Sequence, residues 1–489
     1  MDRALVDRLA ADLEAVDFTV DGLRHAWGDE ADAALHRGHR TPALRALGRT
    51  PSALGTLARA FVLGLPVEPA ELEDALPTLG RAGAIELGLV DASGAPLLDL
   101  RPYAVVDASG VVHWLIASDL GELALGHAIP EDHVLGVGGA SSTLSGLLVP
   151  TPVESALDLG TGCGIQALHL ARHARRVVAT DISARALDLA RFNAALNGVE
   201  SIEFRHGSLF DPVAGERFDR VASNPPFVIT PRTDDVPAYE YRDGGMVGDD
   251  LVATVIAGLR DHLTDGGMAQ LLGNWEYRER DGLDRVADWV DAAGLDAWVV
   301  ERERQSVEAY AETWIRDGGT RPGPEFDRLS GRWLDDFERR GVTEVGFGYL
   351  TLRRPAASPT LRRIERYDAP LGGALGEHIA SVFAAHDWRR THDLRDATLT
   401  LAPDVTEERH YWPGAEDPTV MLLRQGTGFA RTVPMGTALA AVVGACDGEL
   451  PVGVIAAAVA DLLEVDAHAL LEEILPVIAE LVDTGFLRA

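Results

Sequence analysis

The sequence predicts an α/β fold in which helices cover both faces of a mostly parallel sheet. Between residues 153 and 352, short apolar runs typical of buried strands alternate with helical patterns. A glycine-rich turn joins the first predicted strand, Val153–Leu159, to the first helix, Ile165–Ala174. Because parallel strands need crossover connections, the alternation places helices on both faces of the sheet. The other predicted strands span residues 176–180, 202–205, 217–222, 268–273, 295–301 and 346–352, and the helices between them residues 185–197, 250–263 and 283–293.

Length and composition limit the function classes. A chain of 489 residues is too long for one core, and we expect domains at 1–150, 151–355 and 356–489. The formal charge is 44 − 76 = −32, so binding of a nucleic acid would need a local arginine surface. The sequence contains no lysine, which excludes a lysine nucleophile, and its two cysteines form neither a disulfide framework nor a metal set.

The chain carries no sign of a membrane segment. Its first residues read as an acidic amphipathic helix without the apolar core of a signal peptide, and no run of 18 apolar residues occurs. We therefore expect a cytoplasmic protein with no membrane partner.

The N-terminal region predicts helices followed by a hairpin. Helical spacing covers residues 4–65 and 66–83, a strand is expected at 85–90, and strands at 97–106 and 111–118 flank the turn Asp107–Gly110. This order predicts a winged-helix-like module, which could bind nucleic acid, hold a partner subunit or cap a substrate. The glycine- and serine-rich residues 136–146 are then a linker or a loop over the catalytic site.

The turn after the first strand predicts a nucleotide-cofactor site. Asp158, Gly160, Gly162 and Gly164 follow each other at alternate positions, and glycines there let the backbone approach a ligand closely. The next strand ends at Asp181, about twenty residues further on, where a carboxylate can accept both hydroxyls of a ribose. The glycine spacing differs from the dinucleotide fingerprint, which argues against a pyrophosphate.

Two motifs, ALDLGTGCG at 156–164 and ASNPPF at 222–227, resemble those of the Rossmann-like S-adenosylmethionine (SAM) methyltransferases, in particular the small-domain branch with Asn-Pro-Pro-Phe or Asn-Pro-Pro-Tyr. The resemblance covers residues 153–354 and implies a seven-stranded core with an antiparallel last strand. It also implies SAM as the cofactor. Ser208 stands where family members often carry aspartate, although a hydroxyl can still hydrogen-bond the adenine. The SAM-binding residues implied by the resemblance are Asp158, Gly160, Thr161, Gly162, Gly164, Asp181, Ile182, Ser208, Leu209 and Asn224.

The Asn-Pro-Pro-Phe motif, residues 224–227, predicts transfer to a planar nitrogen. The lone pair of an amide or base amino group is delocalised, so a catalyst must make it available. The side-chain oxygen of Asn224 and the carbonyl of Pro225 can accept the two N–H hydrogens and aim the lone pair at the methyl group. Phe227 offers a ring for stacking, and Pro226 is expected to border the substrate. The alternative is an Asn-Pro turn that only ends a strand.

The stretch Tyr239–Gly245 resembles a loop that borders the target pocket in the HemK-type glutamine methyltransferases. Tyr241 and Arg242 are therefore candidate substrate contacts, or Asp243-Gly-Gly is an ordinary turn before a helix. His169 and His173 lie one helical turn apart, as metal ligands can, but without a placed partner we expect a solvated helix face and no metal site.

The last third of the chain predicts additions to the catalytic core. Residues 306–341 form an insertion, helical at 307–315 and 328–339, that is a candidate substrate wall. After residue 355 we expect a helix at 374–389, strands at 397–402, 409–412, 420–424 and 429–433, and a winged-helix-like module of three helices from 435 to 489. That module has no arginine between Arg431 and Arg488, which favours packing on protein over gripping phosphates, and both terminal modules are candidate homodimer surfaces.

Three functions fit this sequence. The preferred one is SAM-dependent N-methylation of a base in RNA, because Arg232, Arg242, Arg278 and Arg280 could make a basic rim beside the pocket. The alternative is methylation of a glutamine carboxamide in protein, which agrees better with the acidic charge. The third is a non-catalytic platform with the same fold.

Overall fold

The computed structural model describes residues 2–107, 110–125, 129–233 and 235–489, without the side chains of residues 107, 122 and 123. The chain forms two compact units. The first comprises Met1–Ser145 and Pro152–Tyr367, and the second Gly146–Thr151 and Asp368–Ala489. This grouping into two units differs from the predicted division into three domains, which stays a prediction.

The N-terminal part of the first unit is a set of short helices followed by a hairpin. Its two strands pair antiparallel with Leu98 opposite Asp119, as predicted, while the turn residues 108 and 109 lie outside the described residues. The elements are α1 Arg3–Ala15, α2 Val20–Trp27, α3 Asp29–Leu35, α4 Thr41–Leu47, α5 Ala53–Leu57, α6 Pro69–Ala75, α7 Gly80–Glu86, β1 Leu98–Asp107, β2 Gly110–Asp119, α8 Glu122–Leu125 and α9 Gly139–Leu147.

The strand predicted at 85–90 is wrong. Residues up to Glu86 are helical, Gly88 turns the chain at φ +71°, and only Val90 makes an isolated bridge, to Pro96. Ala84 and Leu89, at the end of this helix and just after it, are buried. The apolar run is too short for its periodicity to distinguish a strand from a helix.

The rest of the first unit is the predicted α/β core. Its elements are β3 Val153–Leu159, α10 Ile165–Ala171, β4 Ala174–Asp181, α11 Ala184–Leu196, β5 Ile202–His206, β6 Phe218–Ser223, α12 Asp250–His262, β7 Leu263–Tyr277, α13 Gly282–Ala293, β8 Asp296–Ser306, α14 Val307–Asp317, α15 Pro324–Arg340, β9 Glu344–Arg353 and β10 Arg362–Arg366. The sheet order is β10-β8-β9-β7-β6-β3-β4-β5. The strand β9 is antiparallel to both of its neighbours, and the other pairs are parallel. The seven expected strands are confirmed, and β10 extends the sheet beyond the expected boundary at 355.

The helical N-terminal region shares one hydrophobic core with this sheet. Apolar residues of α1 to α7 and the hairpin are buried together with Cys163, Leu168 and Phe192 from the loop and helices that follow β3 and β4. Two amides on α11 fasten the hairpin. Asn193 accepts from Ala117 N (2.7 Å) and donates to Ala117 O and Cys163 O, and Asn197 bonds the N–H and carbonyl of Leu115 in the same way.

The second unit is an α+β assembly with its own core. Its elements are α16 Leu375–Arg389, β11 Thr398–Leu401, β12 Val405–His410, β13 Val420–Gln425, β14 Thr432–Met435, α17 Thr437–Gly444, β15 Asp447–Pro451, α18 Val452–Leu463, α19 Ala467–Asp483 and β16 Leu487–Arg488. Strands β15-β11-β16 and β12-β13-β14 form two small sheets. The three predicted helices are confirmed, whereas the strands expected at 409–412 and 429–433 lie at Val405–His410 and Thr432–Met435.

Across the described part of the chain, no helix has both the length and the apolar character needed to cross a bilayer.

Candidate active site

Four consecutive parallel strands bring three predicted site residues, Asp158, Asp181 and Asn224, to one edge of the sheet, together with His206, which was not predicted. Asp158 lies near the end of β3, Asp181 ends β4, His206 ends β5, and Asn224 directly follows β6. Asp158 is opposite Ala222 on β6, and Asp181 is opposite His206 on β5. The carboxyl ends of the strands in an open α/β sheet are where such folds bind ligands.

The glycine turn is held by hydrogen bonds to both acidic residues. The Thr161 hydroxyl donates to Asp158 (2.5 Å), and the Gly162 N–H donates to Asp181 (2.9 Å). Gly164 starts α10 at φ +88°, and a Cβ there would lie 3.0 Å from the Ala190 Cβ. A side chain at Gly164 would therefore be strained both by its backbone and by its neighbour on α11.

Burial changes the charge balance of this turn. Burial raises the pKa of Asp158 to about 7, although the Thr161 hydroxyl and the Ala167 N–H oppose the shift. The second carboxyl oxygen of this side chain makes no hydrogen bond of good geometry with any described residue. Burial also raises the pKa of Asp181, although three backbone N–H groups oppose the shift. An orphaned buried carboxylate oxygen is a group that a ligand with a donor would satisfy.

The residues expected around an adenine surround Asp181. Ile182 leaves its apolar side chain 64% exposed, and Gly207 N–H donates to the Asp181 carbonyl (3.0 Å). Ser208 and Leu209 follow, with Leu209 in the left-handed region at φ 44°. An exposed aliphatic side chain beside a carboxylate at a strand end suits a flat ring with an attached ribose.

Asn224 presents a second orphaned oxygen. Its side-chain oxygen is buried and accepts no hydrogen bond within the described residues. The Pro225 carbonyl accepts from the Phe227 N–H (2.7 Å) and keeps a second lone pair, while Phe227 packs against Phe347 with ring centroids 5.5 Å apart. Pro226 is half-buried. The motif thus keeps the Asn224 oxygen available as an acceptor.

The 239–245 loop lies directly beside this motif. Phe227 bridges Asp243, and Val228 N–H donates to the Arg242 carbonyl (2.8 Å). The Arg242 side chain is buried and donates to Asp317 (2.6 Å) and to the Trp314 carbonyl (2.8 Å). Tyr241 also donates to Asp317 (2.7 Å). These contacts use Arg242 to fasten the loop to α14, so its predicted role in binding substrate stays a prediction.

Sequence analysis did not identify Tyr310 of the insertion. Its buried hydroxyl accepts from Ile229 N–H (3.0 Å), two residues after the motif, and from the Asn274 amide on β7 (2.6 Å). The helices α14 and α15 of this insertion are confirmed as expected. No local signal marks Tyr310, because its partners are 81 and 36 residues away.

Each of the four arginines expected to form a basic rim is ion-paired. The pairs are Arg232 with Asp243, Arg242 with Asp317, Arg278 with Glu276, and Arg280 with Asp288. Asp243 and Glu276 are themselves almost fully buried, so these guanidinium groups compensate internal charges first.

The expected solvated face at His169 is wrong. This side chain is buried against the hairpin, with the Tyr103 hydroxyl 3.2 Å from its Nε2 and the Trp114 ring 4.9 Å away edge-on. The hairpin docks on α10 at this point, which no pattern local to α10 could indicate. Among the described residues no group of three potential metal ligands is assembled.

Comparison with known proteins agrees with this geometry. Residues 137–291 match the family described as Methyltransferase small domain, and residues 15–101 match a domain of unknown function. The chain is 38% identical to a release factor glutamine methyltransferase of Xylella fastidiosa over 24% of this chain and 46% of the relative. It is 31% identical to a "Putative protein N5-glutamine methyltransferase" of Methanocaldococcus jannaschii, over 28% of this chain and 71% of that protein. It is also 33% identical to ribosomal RNA small subunit methyltransferase C of Escherichia coli, over 31% of this chain and 40% of that protein.

The family match, residues 137–291, includes both the glycine turn and the Asn-Pro-Pro-Phe motif. The chain spans about half the length of the first curated relatives that it matches.

Proposed function

Because the chain belongs to the small-domain, HemK-type methyltransferases, we propose that it transfers a methyl group from SAM to a planar amide nitrogen of a protein. The observation that carries the proposal is the buried oxygen of Asn224 directly after β6, which has no hydrogen-bond partner in the described part of the chain. An acceptor in that position suits a nitrogen whose hydrogens must be held.

The residues present fit SAM. Asp181 offers a carboxylate for the ribose, Ile182 an apolar surface for the adenine, and Asp158 an unsatisfied oxygen near the glycine turn. When bound there, SAM supplies a methyl group activated by its sulfonium. Homologous methyltransferases generally use this cofactor, and we assign it to the 158–164 turn.

The chain's own groups would orient the acceptor. The Asn224 oxygen accepts one N–H of the target, and the free lone pair of the Pro225 carbonyl accepts the other. Holding both hydrogens draws the nitrogen out of its plane and directs its lone pair. Phe227, braced by Phe347, gives the planar group a face to pack on.

A protein carboxamide is favoured over an RNA base by charge. The arginines on which the RNA preference rested are paired with carboxylates, and the whole chain carries a formal charge of −32. Phosphate binding requires cations that are free to replace counterions. Two of the three relatives described above are named for glutamine, and the third for ribosomal RNA.

Transfer of a labelled methyl group tests the proposal. Purified protein and labelled SAM are added to lysate from cells that lack the protein, and the product is treated with ribonuclease or protease. We expect label that survives ribonuclease and is lost with protease. Label lost with ribonuclease would instead establish RNA as the substrate, and label that survives both treatments would indicate a small molecule.

The variant Asn224→Ala tests the mechanism. It removes the orienting acceptor, so turnover should fall by at least about 100-fold while calorimetry shows nearly unchanged SAM affinity. Asn197→Ala, at the residue that caps the C-terminus of α11 away from the motif, controls for the loss of a structural amide, and its turnover per folded molecule should stay unchanged. Full activity of Asn224→Ala would show that the methyl acceptor is not an amide or amino nitrogen held by Asn224.

A further inference from the structure

The helix α18 in the second unit has an apolar face that nothing in the described chain covers. Its sequence, VGVIAAAVADLL, contains a single charged residue, Asp461. One side is buried in the core of the unit through Val452, Ile455 and Val459. A helix that is apolar all round is normally buried all round.

The opposite side of α18 is exposed. Val454 is 52% exposed and Leu462 is 83% exposed, and the alanines between them, Ala457 and Ala458, are exposed as well. Positions 454, 458 and 462 are four residues apart and lie on one face of the helix. We call Val454, Ala457, Ala458 and Leu462 the α18 face. It continues into Val465, which is 50% exposed just after the helix ends.

The acidic and basic residues of the sequence segment that contains this face are all of one sign. Residues 432–487 contain nine acidic residues and neither arginine nor lysine, namely Asp447, Glu449, Asp461, Glu464, Asp466, Glu472, Glu473, Glu480 and Asp483. Arg395 is close in the structure, since its carbonyl accepts from the Gly453 N–H (2.9 Å), but its guanidinium is paired with Glu472 (2.6 Å).

The acidic residues indicate what kind of binding partner fits the α18 face. A second copy of the chain would bring the same acidic rim against itself, and like charges placed together are destabilising. A basic rim around an apolar stripe would match both features of the surface. The small side chains of Ala457 and Ala458 leave room for a helix to approach closely between Val454 and Leu462.

We propose that the α18 face is a docking surface for a basic amphipathic helix of a partner protein. The apolar stripe of the partner covers Val454 and Leu462, and its arginines or lysines pair with Asp461, Glu464 and Asp466. This is the helix-in-groove mode of recognition, in which apolar anchors supply affinity and rim charges supply specificity. The proposal does not depend on the methyl-transfer chemistry.

Binding of two labelled model peptides to the full-length protein tests it. Both are amphipathic helices of about 18 residues, roughly five turns, with leucine on one face and either lysine or glutamate on the other. Fluorescence anisotropy should give a Kd for the lysine peptide at least about tenfold lower than for the glutamate peptide. Hydrogen exchange should slow in Val452–Leu463 when the lysine peptide binds.

Point variants separate the face from the general acidity of the chain. The double variant Val454→Ser/Leu462→Ser should raise the Kd of the lysine peptide by about tenfold, because it removes the two apolar anchors. Val111→Ser, which replaces a similarly exposed valine on β2, should leave the Kd unchanged. The methyl-transfer activity of all three proteins should be equal.

Two results would overturn the proposal. Equal Kd values for the wild type and the double variant would mean that the peptide binds elsewhere through charge alone. Sedimentation velocity that shows a wild-type dimer, dissociated in the double variant, would assign the face to a second copy of the chain.

Discussion

At the scale of single residues, the candidate site combines two buried oxygens that accept no hydrogen bond of good geometry from the residues that the structure describes. One belongs to Asp158 in the glycine turn, and the other to Asn224 after β6. Leaving a buried acceptor unsatisfied costs about 1–3 kcal/mol, so a ligand that donates to these two oxygens would gain that stabilisation on binding. A ligand at the sheet edge would satisfy both.

The pKa of Asp158 leads to a prediction about stability and pH. Burial raises this pKa to about 7, above the ordinary value of 3.8, so the folded chain binds the proton more tightly than the unfolded chain. The contribution of this group to stability is therefore present at low pH and is lost as the pH rises toward and through 7. Asp158→Asn cannot ionise and escapes the loss.

We expect the unfolding midpoint of Asp158→Asn, relative to the wild type, to rise between pH 5 and pH 8. Thermal denaturation of both ligand-free proteins across this range measures it. Asp188→Asn, at an exposed aspartate on α11, should give a constant difference. Parallel curves for Asp158→Asn and the wild type would show that this carboxyl does not carry the shift.

At the scale of elements, periodicity predicts what packs by a regular pattern. The seven strands and the insertion helices were predicted because their apolar residues either recur with a period of 2 or 3.6 or form a short continuous run typical of a buried strand. Strand β10, with the sequence RRIER, has one apolar residue and is held instead by polar contacts such as Trp298 with Glu365 (2.7 Å). Its contacts are about 65 residues away, and no local signal reports them.

The same limit applies to the site. The glycine turn and the Asn-Pro-Pro-Phe motif are each a contiguous stretch of sequence, and both were predicted. The structure brings them to the same edge of the sheet. The pairings that close the site are not contiguous: Arg242 finds Asp317, and Tyr310 finds Ile229. Arg242, which was expected at a substrate rim, therefore has a buried guanidinium that pairs with the partly exposed Asp317.

Tyr310→Phe tests the insertion as a positioning element. The change removes one oxygen and leaves the buried Ile229 N–H and the Asn274 amide without their partner. We expect turnover to fall about tenfold with SAM affinity unchanged, because the segment after Phe227 loses its anchor. A steady-state comparison of kcat and KM, with calorimetry for SAM, measures the effect.

Tyr349→Phe provides the control, because it removes a hydroxyl from β9 with the same change of side chain. A purely structural role for Tyr310 would lower the stability of Tyr310→Phe and leave kcat per folded molecule intact. That outcome would contradict the positioning role.

At the scale of the whole molecule, the chain is assembled by contacts that its linear order hides. The N-terminal helices and the α/β sheet share one hydrophobic core, and both belong to the first compact unit. The short segment Gly146–Thr151, which leads into β3 and the glycine turn, packs with residues from 368 onward. Composition predicted a change after residue 354, but not that the later unit includes this segment.

The contact between this segment and α16 gives the last prediction. A Cβ on Gly376 would lie 2.0 Å from the Leu148 carbonyl oxygen, and the neighbouring side chains of Leu147 and Val149 are buried. Backbone cannot yield as a flexible side chain can, so Gly376→Ala must displace either α16 or the 146–151 segment and should lower the free energy of unfolding by about 1–3 kcal/mol. Chemical denaturation of the full chain measures the change.

Gly373→Ala is the matched control three residues earlier, because a Cβ there meets no atom within 4 Å. Since the displaced segment directly precedes β3, SAM affinity should weaken in Gly376→Ala and not in Gly373→Ala. Equal stability of the two variants would contradict the close packing of Leu148 on α16. A loss of stability without weaker SAM binding would show that the glycine turn does not depend on the position of the 146–151 segment.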